Sequence, residues 1–188
     1  MVELKNISFS YGALKVLEDF NLTVNAGESI CIWGKSGSGK TTVLKLILGL
    51  IKSDRGSVSA PDKISCVFQE DRLIENLSLE KNVKLVLPKE KYQKADELIN
   101  EFGLQEFKKS KVQELSGGMK RRVAIIRAIA FGGDLLILDE AFNGIDSKNR
   151  EKIAKIIKRE FIEKNKAVIM VTHVTADADS INAKIIKI

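Results

Sequence analysis

Between an apolar run, Ser29–Trp33, and a stretch with apolar residues at helical spacing, Lys40–Leu50, the chain reads GKSGSGKT, Gly34 to Thr41. A strand, a glycine-rich loop and a helix in that order is the context a phosphate-binding loop requires. Glycines let the backbone wrap closely around an anion, and successive amides together with the helix N-terminus turn N–H groups toward it. Gly34, Lys35, Ser36, Gly37, Ser38 and Gly39 form that loop, and Lys40, Thr41 and Thr42 open the helix. Lys40 is placed to reach β- and γ-phosphates and the Thr41 hydroxyl to hold Mg²⁺. The loop alone does not separate ATPases, GTPases and kinases.

The rest of the chain supplies the sheet such a loop needs. Val2–Phe9 and Asn21–Val24 alternate as strands, and Gly56–Ser59 and Ile64–Phe68 read as further short strands turned by Pro61 and Asp62. Leu135–Leu138 and Val168–Val171 are apolar strands separated by an amphipathic helix over Ser147–Glu163, and Lys184–Ile188 reads as a last strand. Strands alternating with helices predict an α/β core with a mainly parallel sheet. From Leu77 to about Lys111 the sequence turns Lys/Glu-rich, with Ala95, Leu98, Ile99 and Phe102 at helical spacing, which predicts a helical insertion.

A second chemical element is LLILDE, Leu135 to Glu140, an apolar strand that ends in two carboxylates. Ligands of α/β sheets sit at that C-terminal edge of the strands. Asp139 is expected in the Mg²⁺ shell, and Glu140 is expected to polarise an attacking water as general base. An acidic pair alone could merely cap a strand. Paired with the glycine-rich loop, it points to nucleotide hydrolysis.

The remaining motifs carry a family resemblance. LSGGM, Leu115 to Met119, followed by the helix-like run Lys120–Phe131, resembles the LSGGQ signature of ABC ATPases. Gln69, His173, Tyr11 and Asp146 match the family's Q-loop glutamine, switch histidine, adenine-stacking aromatic and D-loop aspartate, in family order and over almost the whole chain. The resemblance implies a P-loop NTPase core with a mainly parallel sheet, an N-terminal antiparallel β part and a small helical subdomain. It also implies one ABC ATPase domain over residues 1–188, with 1–76 and 112–188 as catalytic core and 77–111 as the insertion.

What the resemblance implies for mechanism is a head-to-tail homodimer or heterodimer. ATP on Gly34–Thr42 of one subunit would be covered by Ser116, Gly117 and Gly118 of the other. Gln69 would sense Mg²⁺ and the attacking water, and His173 would hold the γ-phosphate in line with Glu140. Family members dock a polytopic membrane permease on the segment Glu70–Glu75 and the helical insertion. That places the chain in the cytoplasm, peripheral on the inner face of the cell membrane. VFQEDRLIENLSLEKNV resembles importer ATPases of the nitrate, sulfonate and taurine group.

Met119 replaces the signature glutamine, Ala141 a common proline, and Asn143–Gly144–Ile145 the commoner D-loop residues. None removes a phosphate ligand, the metal aspartate or the base, so an active ATPase is expected, while Met119 leaves its rate open. The chain stops 15 positions after His173, which predicts no C-terminal regulatory domain, and its start lacks the pattern of a secretory signal. Its longest apolar runs are broken by Lys45, Gly49 and Arg127 and are too short to span a bilayer.

Cys31 and Cys66 lie far apart in apolar runs and read as buried free thiols. The net charge of +6 is spread among 25 acidic residues, so no nucleic-acid footprint is expected. An alternative is a soluble ABC ATPase acting on DNA, a ribosome or a cofactor-assembly complex. Only 76 positions separate Lys40 from Ser116, too few for the long coiled coil of the chromosome-associated members, and each motif occurs once, unlike in the two-cassette translation members.

Overall fold

The computed structural model describes residues 1–188. Two sheets meet in it. The first is antiparallel, in the order β2 (Leu14–Val24), β1 (Val2–Tyr11), β4 (Arg55–Ser59). The second is parallel throughout, in the order β5 (Ile64–Val67), β6 (Leu135–Asp139), β7 (Ala167–Val171), β3 (Ser29–Trp33), β8 (Lys184–Lys187). This is the mixed α/β architecture the sequence predicts.

All five residues of β6 and all five of β7 are buried. Strands covered on both faces lose the polar alternation of a half-exposed strand, which explains their continuous apolar sequences. Successive residues still point to opposite faces. Leu135 and Ile137 pack with Ile169, Val171, Ile30 and Ile32 toward the antiparallel sheet and α1 (Lys40–Ile47). Leu136, Leu138, Val168 and Met170 pack the other way, into the larger helical core.

That core is built by α2 (Leu79–Lys84), α3 (Tyr92–Glu101), α4 (Gly117–Phe131) and α5 (Ser147–Ile157). Val83, Leu98, Ile99, Phe102, Ile125 and Ile129 interlock there, the apolar faces that the 3.6-residue period indicates. The Leu77–Lys111 stretch is helical, but in pieces: α2 ends at Lys84 and α3 begins at Tyr92, with Pro88 between them.

Several boundaries differ from expectation for local reasons. β2 starts at Leu14 rather than Asn21, because its pairing with β1 shifts register three times and so blurs the alternation. The helix after Asp146 is α-helical only to Ile157 and closes in a wider π-type turn over Lys158–Ile162. A short helix, α6 (Thr175–Ser180), has no apolar periodicity and was not expected. Cys31 is buried, but Cys66, on the edge strand β5, is only half-buried, and burial lifts the two free thiols to about 11 and about 12.

One position in β4, where its pairing with β1 shifts register, admits only glycine. Gly56 sits at φ +88°, and a Cβ there would lie 2.3 Å from the Lys5 carbonyl oxygen and 2.5 Å from that of Asn6. Both atoms are backbone, so neither can rotate away. Gly56→Ala is therefore expected to cost about 2 kcal/mol or more, from left-handed strain and displaced backbone together. Urea unfolding measures it, and a loss under about 0.5 kcal/mol would show that β4 lifts off β1 freely.

Candidate functional site

The parallel sheet brings the chemistry to one edge. Register aligns Ile32 with Val171, Asp139 with Val171, and Val67 with Leu138, so the C-terminal ends of β3, β5, β6 and β7 stop at one level. Each strand hands one motif over that edge: Gly34 after β3, Gln69 after β5, Asp139 and Glu140 at β6, His173 after β7. A cleft of about 440 Å³ is lined by Tyr11, most of the Gly34–Thr42 loop, Gln69, Asp139, Glu140 and His173.

The loop is already in a phosphate-cradling shape. Gly39 caps α1 at φ +100° and offers no side-chain acceptor, so the first-turn amides of the helix have no internal partner. Lys40 Nζ donates to the carbonyl oxygens of Gly34 (2.8 Å) and Lys35 (2.7 Å), which arches the loop over the lysine. The Ser38 hydroxyl is buried there without a partner. Free amides, an ammonium and an unpaired hydroxyl are what a polyphosphate would satisfy.

Beside the loop Asp139 is only 8% exposed. Burial and the adjoining Glu140 carboxylate push its pKa above the usual range, while Arg121 and Lys40 oppose the rise. A buried carboxylate next to a second one, in a cleft that Thr41 also lines, suits a hard divalent cation. Glu140 sits at φ +47°, its amide bonded to Val171 O at 2.8 Å, so β6 and β7 jointly aim its side chain. Asn143 Nδ2 donates to Glu140 Oε2 at 2.6 Å, and His173 Nδ1 lies 3.4 Å from Oε1.

Tyr11 closes the rim at the end of β1, 46% exposed, edge-on to Phe9 at 4.8 Å. Lys35 and Ser38 of the loop do not line the cleft, and four expected residues outside the loop lie away from it. Ser116, Gly117 and Gly118 open α4, where the Ser116 hydroxyl accepts from the Met119 amide at 3.3 Å, and the first two are exposed. Asp146 caps α5, accepting from the Asn149 amide at 3.0 Å, and that hydrogen bonding holds its carboxyl below the usual range.

Residues that sequence reasoning missed hold these groups in place. Arg150 donates to Ile145 O (2.7 Å) and to the buried Asp177 (3.0 Å), and Asp177 accepts from Thr172 Oγ1 (3.1 Å). The loop after Glu140 and the loop bearing His173 are thus pinned to one guanidinium. Asn143 was visible as a departure from the family pattern, though not as a partner of Glu140. Arg150 and Asp177 carried no motif at all.

A glycine loop with its lysine at the end of β3, and an acidic pair at the end of β6, define a P-loop nucleoside-triphosphatase. Within that class the matches are specific. The sequence model of the family described as ABC transporter matches residues 17–143. The ergothioneine transport ATP-binding protein EgtV of Helicobacter pylori is 36% identical, over all of this chain and 97% of its own length. The taurine import ATP-binding protein TauB of Escherichia coli is 34% identical, over 92% of this chain and 73% of its own.

Among solved structures, a dimeric bacterial ABC transporter cassette has a TM-score of 0.88 at 32% identity, covering all of this chain and 94% of its own. The same cassette in a post-hydrolysis state bound to ADP and Pi gives 0.89 at 32% identity, with the same coverage. The chain belongs to the ABC transporter family, as an ATP-binding subunit that hydrolyses ATP. None of its helices is long and apolar enough to cross a membrane.

Proposed function

We propose that the chain powers uptake through a separate polytopic permease, working as a head-to-tail dimer of cassettes. The observation that carries this reading is the division of the site: one cleft gathers the loop, Gln69, Asp139, Glu140 and His173, while Ser116–Gly118 lie outside it on an exposed helix start. Those glycine amides can meet a phosphate only if a second cassette presents them. The import and transport relatives favour uptake and a place on the inner membrane face.

In this reading Lys40 and the loop amides hold the phosphates, Tyr11 stacks on adenine, and Thr41, Asp139 and Gln69 hold Mg²⁺. A cation held there would neutralise phosphate charge. Glu140, aimed by Asn143, takes the proton from the attacking water, and His173 keeps that water in line. Asp146 lies beside the dimer seam. Glu70–Glu75 and residues 77–111 receive the permease, with Ile74 and Leu85 exposed on that side as apolar contacts.

The test is hydrolysis by the isolated chain. Activity per subunit is expected to rise with protein concentration, because only associated pairs complete a site. A rate per subunit that stays constant across the range where sedimentation shows a monomer overturns the shared-site reading.

A further inference from the structure

Gln69 sits on a segment that hardly holds itself. Residues 69–73 take part in no backbone–backbone hydrogen bond, although they cross between the sheet edge and the helical core. The segment is exposed or half-buried, so side chains rather than its own backbone must hold it in one place. Two arginines of α4 do so. Arg121 donates through Nη1 to Phe68 O (2.7 Å) and through Nη2 to Gln69 O. Arg127 donates through Nη2 to Asp71 O (3.0 Å) and through Nη1 to Arg72 O (2.8 Å).

Each guanidinium spans two carbonyls with its planar fork, a geometry that a lysine ammonium cannot copy. Arg121 is only 8% exposed, and its Nη1 also lies 3.1 Å from Asp71 Oδ1. Six residues of helix rise by about 9 Å, enough to span the segment from Phe68 to Arg72 with two side chains. Beyond it, buried Asn82 holds the Ile74 amide and carbonyl, so the tie passes to α2 at that point.

We propose that Arg121 and Arg127 are positioning residues that fix the backbone of residues 68–72, and thereby the placement of Gln69 in the cleft, from the helix that begins at Gly117. The proposal rests on the reading of Gln69 as a contributor to hydrolysis. Neither arginine lines the cleft, so both act through the carbonyls they hold. Because the same helix presents Gly117 and Gly118, Gln69 in one site is mechanically joined to the amides that serve the other.

Two measurements on the full chain test it, with Arg127→Lys, Arg127→Met and Arg121→Lys as variants. The first needs no nucleotide: trypsin cleavage after Arg72, followed by mass spectrometry. Cleavage there is expected to accelerate about tenfold or more in Arg127→Met, less in Arg127→Lys, with other sites unchanged, as expected of a local opening. The second is ATPase kinetics. The variants are expected to lose about tenfold in kcat, with the affinity for a fluorescent ATP analogue changed less than about threefold, because the phosphate loop is untouched.

In a Gln69→Ala background the arginine substitutions are expected to lower kcat no further, the non-additivity of a shared pathway. Unchanged cleavage after Arg72, or an undiminished arginine effect in that background, overturns the proposal. If Gln69→Ala alone keeps full kcat, the role of Gln69 fails, while the cleavage experiment still decides whether the arginines hold the segment. Should Arg121→Lys not fold, the partly exposed Arg127 variants carry both measurements.

Discussion

Glu140→Gln is expected to reduce ATP turnover by about 10²-fold or more while ATP still binds, the range for losing a positioned general base. The amide keeps the shape of the carboxylate and leaves the Lys40 loop untouched, so binding and chemistry separate. It can still accept from Asn143 Nδ2, which now bonds Glu140 Oε2 at 2.6 Å, so the loop after β6 keeps its tie. What it cannot do is take a proton from water. With ATP retained and uncleaved, the dimer is expected to persist, visible as a shift in size-exclusion elution that needs ATP. Single-turnover hydrolysis at the normal rate in this variant would remove Glu140 from the role of base.

Phe142→Ala is expected to have the largest effect on stability. Phe142 is 1% exposed and packs in the core that fills the helical side of the sheet, two residues after Glu140. Truncating a buried phenylalanine costs about 3–5 kcal/mol through lost burial and the cavity left behind. For a chain of this length that corresponds to a fall in Tm of about 6–20 °C. The loop it anchors has few backbone bonds of its own, such as the Asn143 amide to Glu140 O at 3.2 Å, besides the Asn143 and Arg150 side-chain ties. Turnover is therefore expected to fall at temperatures where the protein is still folded. A stability loss under about 1 kcal/mol would mean that the site collapses around the missing ring.

How much of this was legible depends on how local each determinant is. The Ser29–Trp33 strand matches to the residue, and the cores of β6, β7 and α1 match closely, because burial on both faces or a helical period writes itself into adjacent letters. Early β2 was not legible: bulges against β1, with Asn6 and Asp19 at positive φ, break the alternation a strand normally shows. α6 was hidden because its polar run TADADS is ordered by the Arg150–Asp177 pair rather than by an apolar face.

The same distinction holds in the site. Gly34–Thr42, Asp139, Glu140 and His173 sit in motif strings beside strand ends, so their meeting place follows from topology. Arg121 and Arg127 reach carbonyls more than 50 positions earlier in the chain. Nothing in the neighbouring letters announces such a contact; it exists only once α4 lies across the end of β5.

The shared edge of β5, β6, β7 and β3 makes the sheet a ruler for the reaction. A one-residue slip of any of these strands would move the cleft residue it carries by about 3.3 Å and turn it to the opposite face. Since about 1 Å of misplacement can cost two orders of magnitude in rate, the apolar ladder from Leu135 to Asp139 sets the spacing of the chemistry as well as holding the protein together. Evolution of this core is therefore constrained by length along the strand: side-chain volumes can be exchanged between faces, but a residue cannot be inserted.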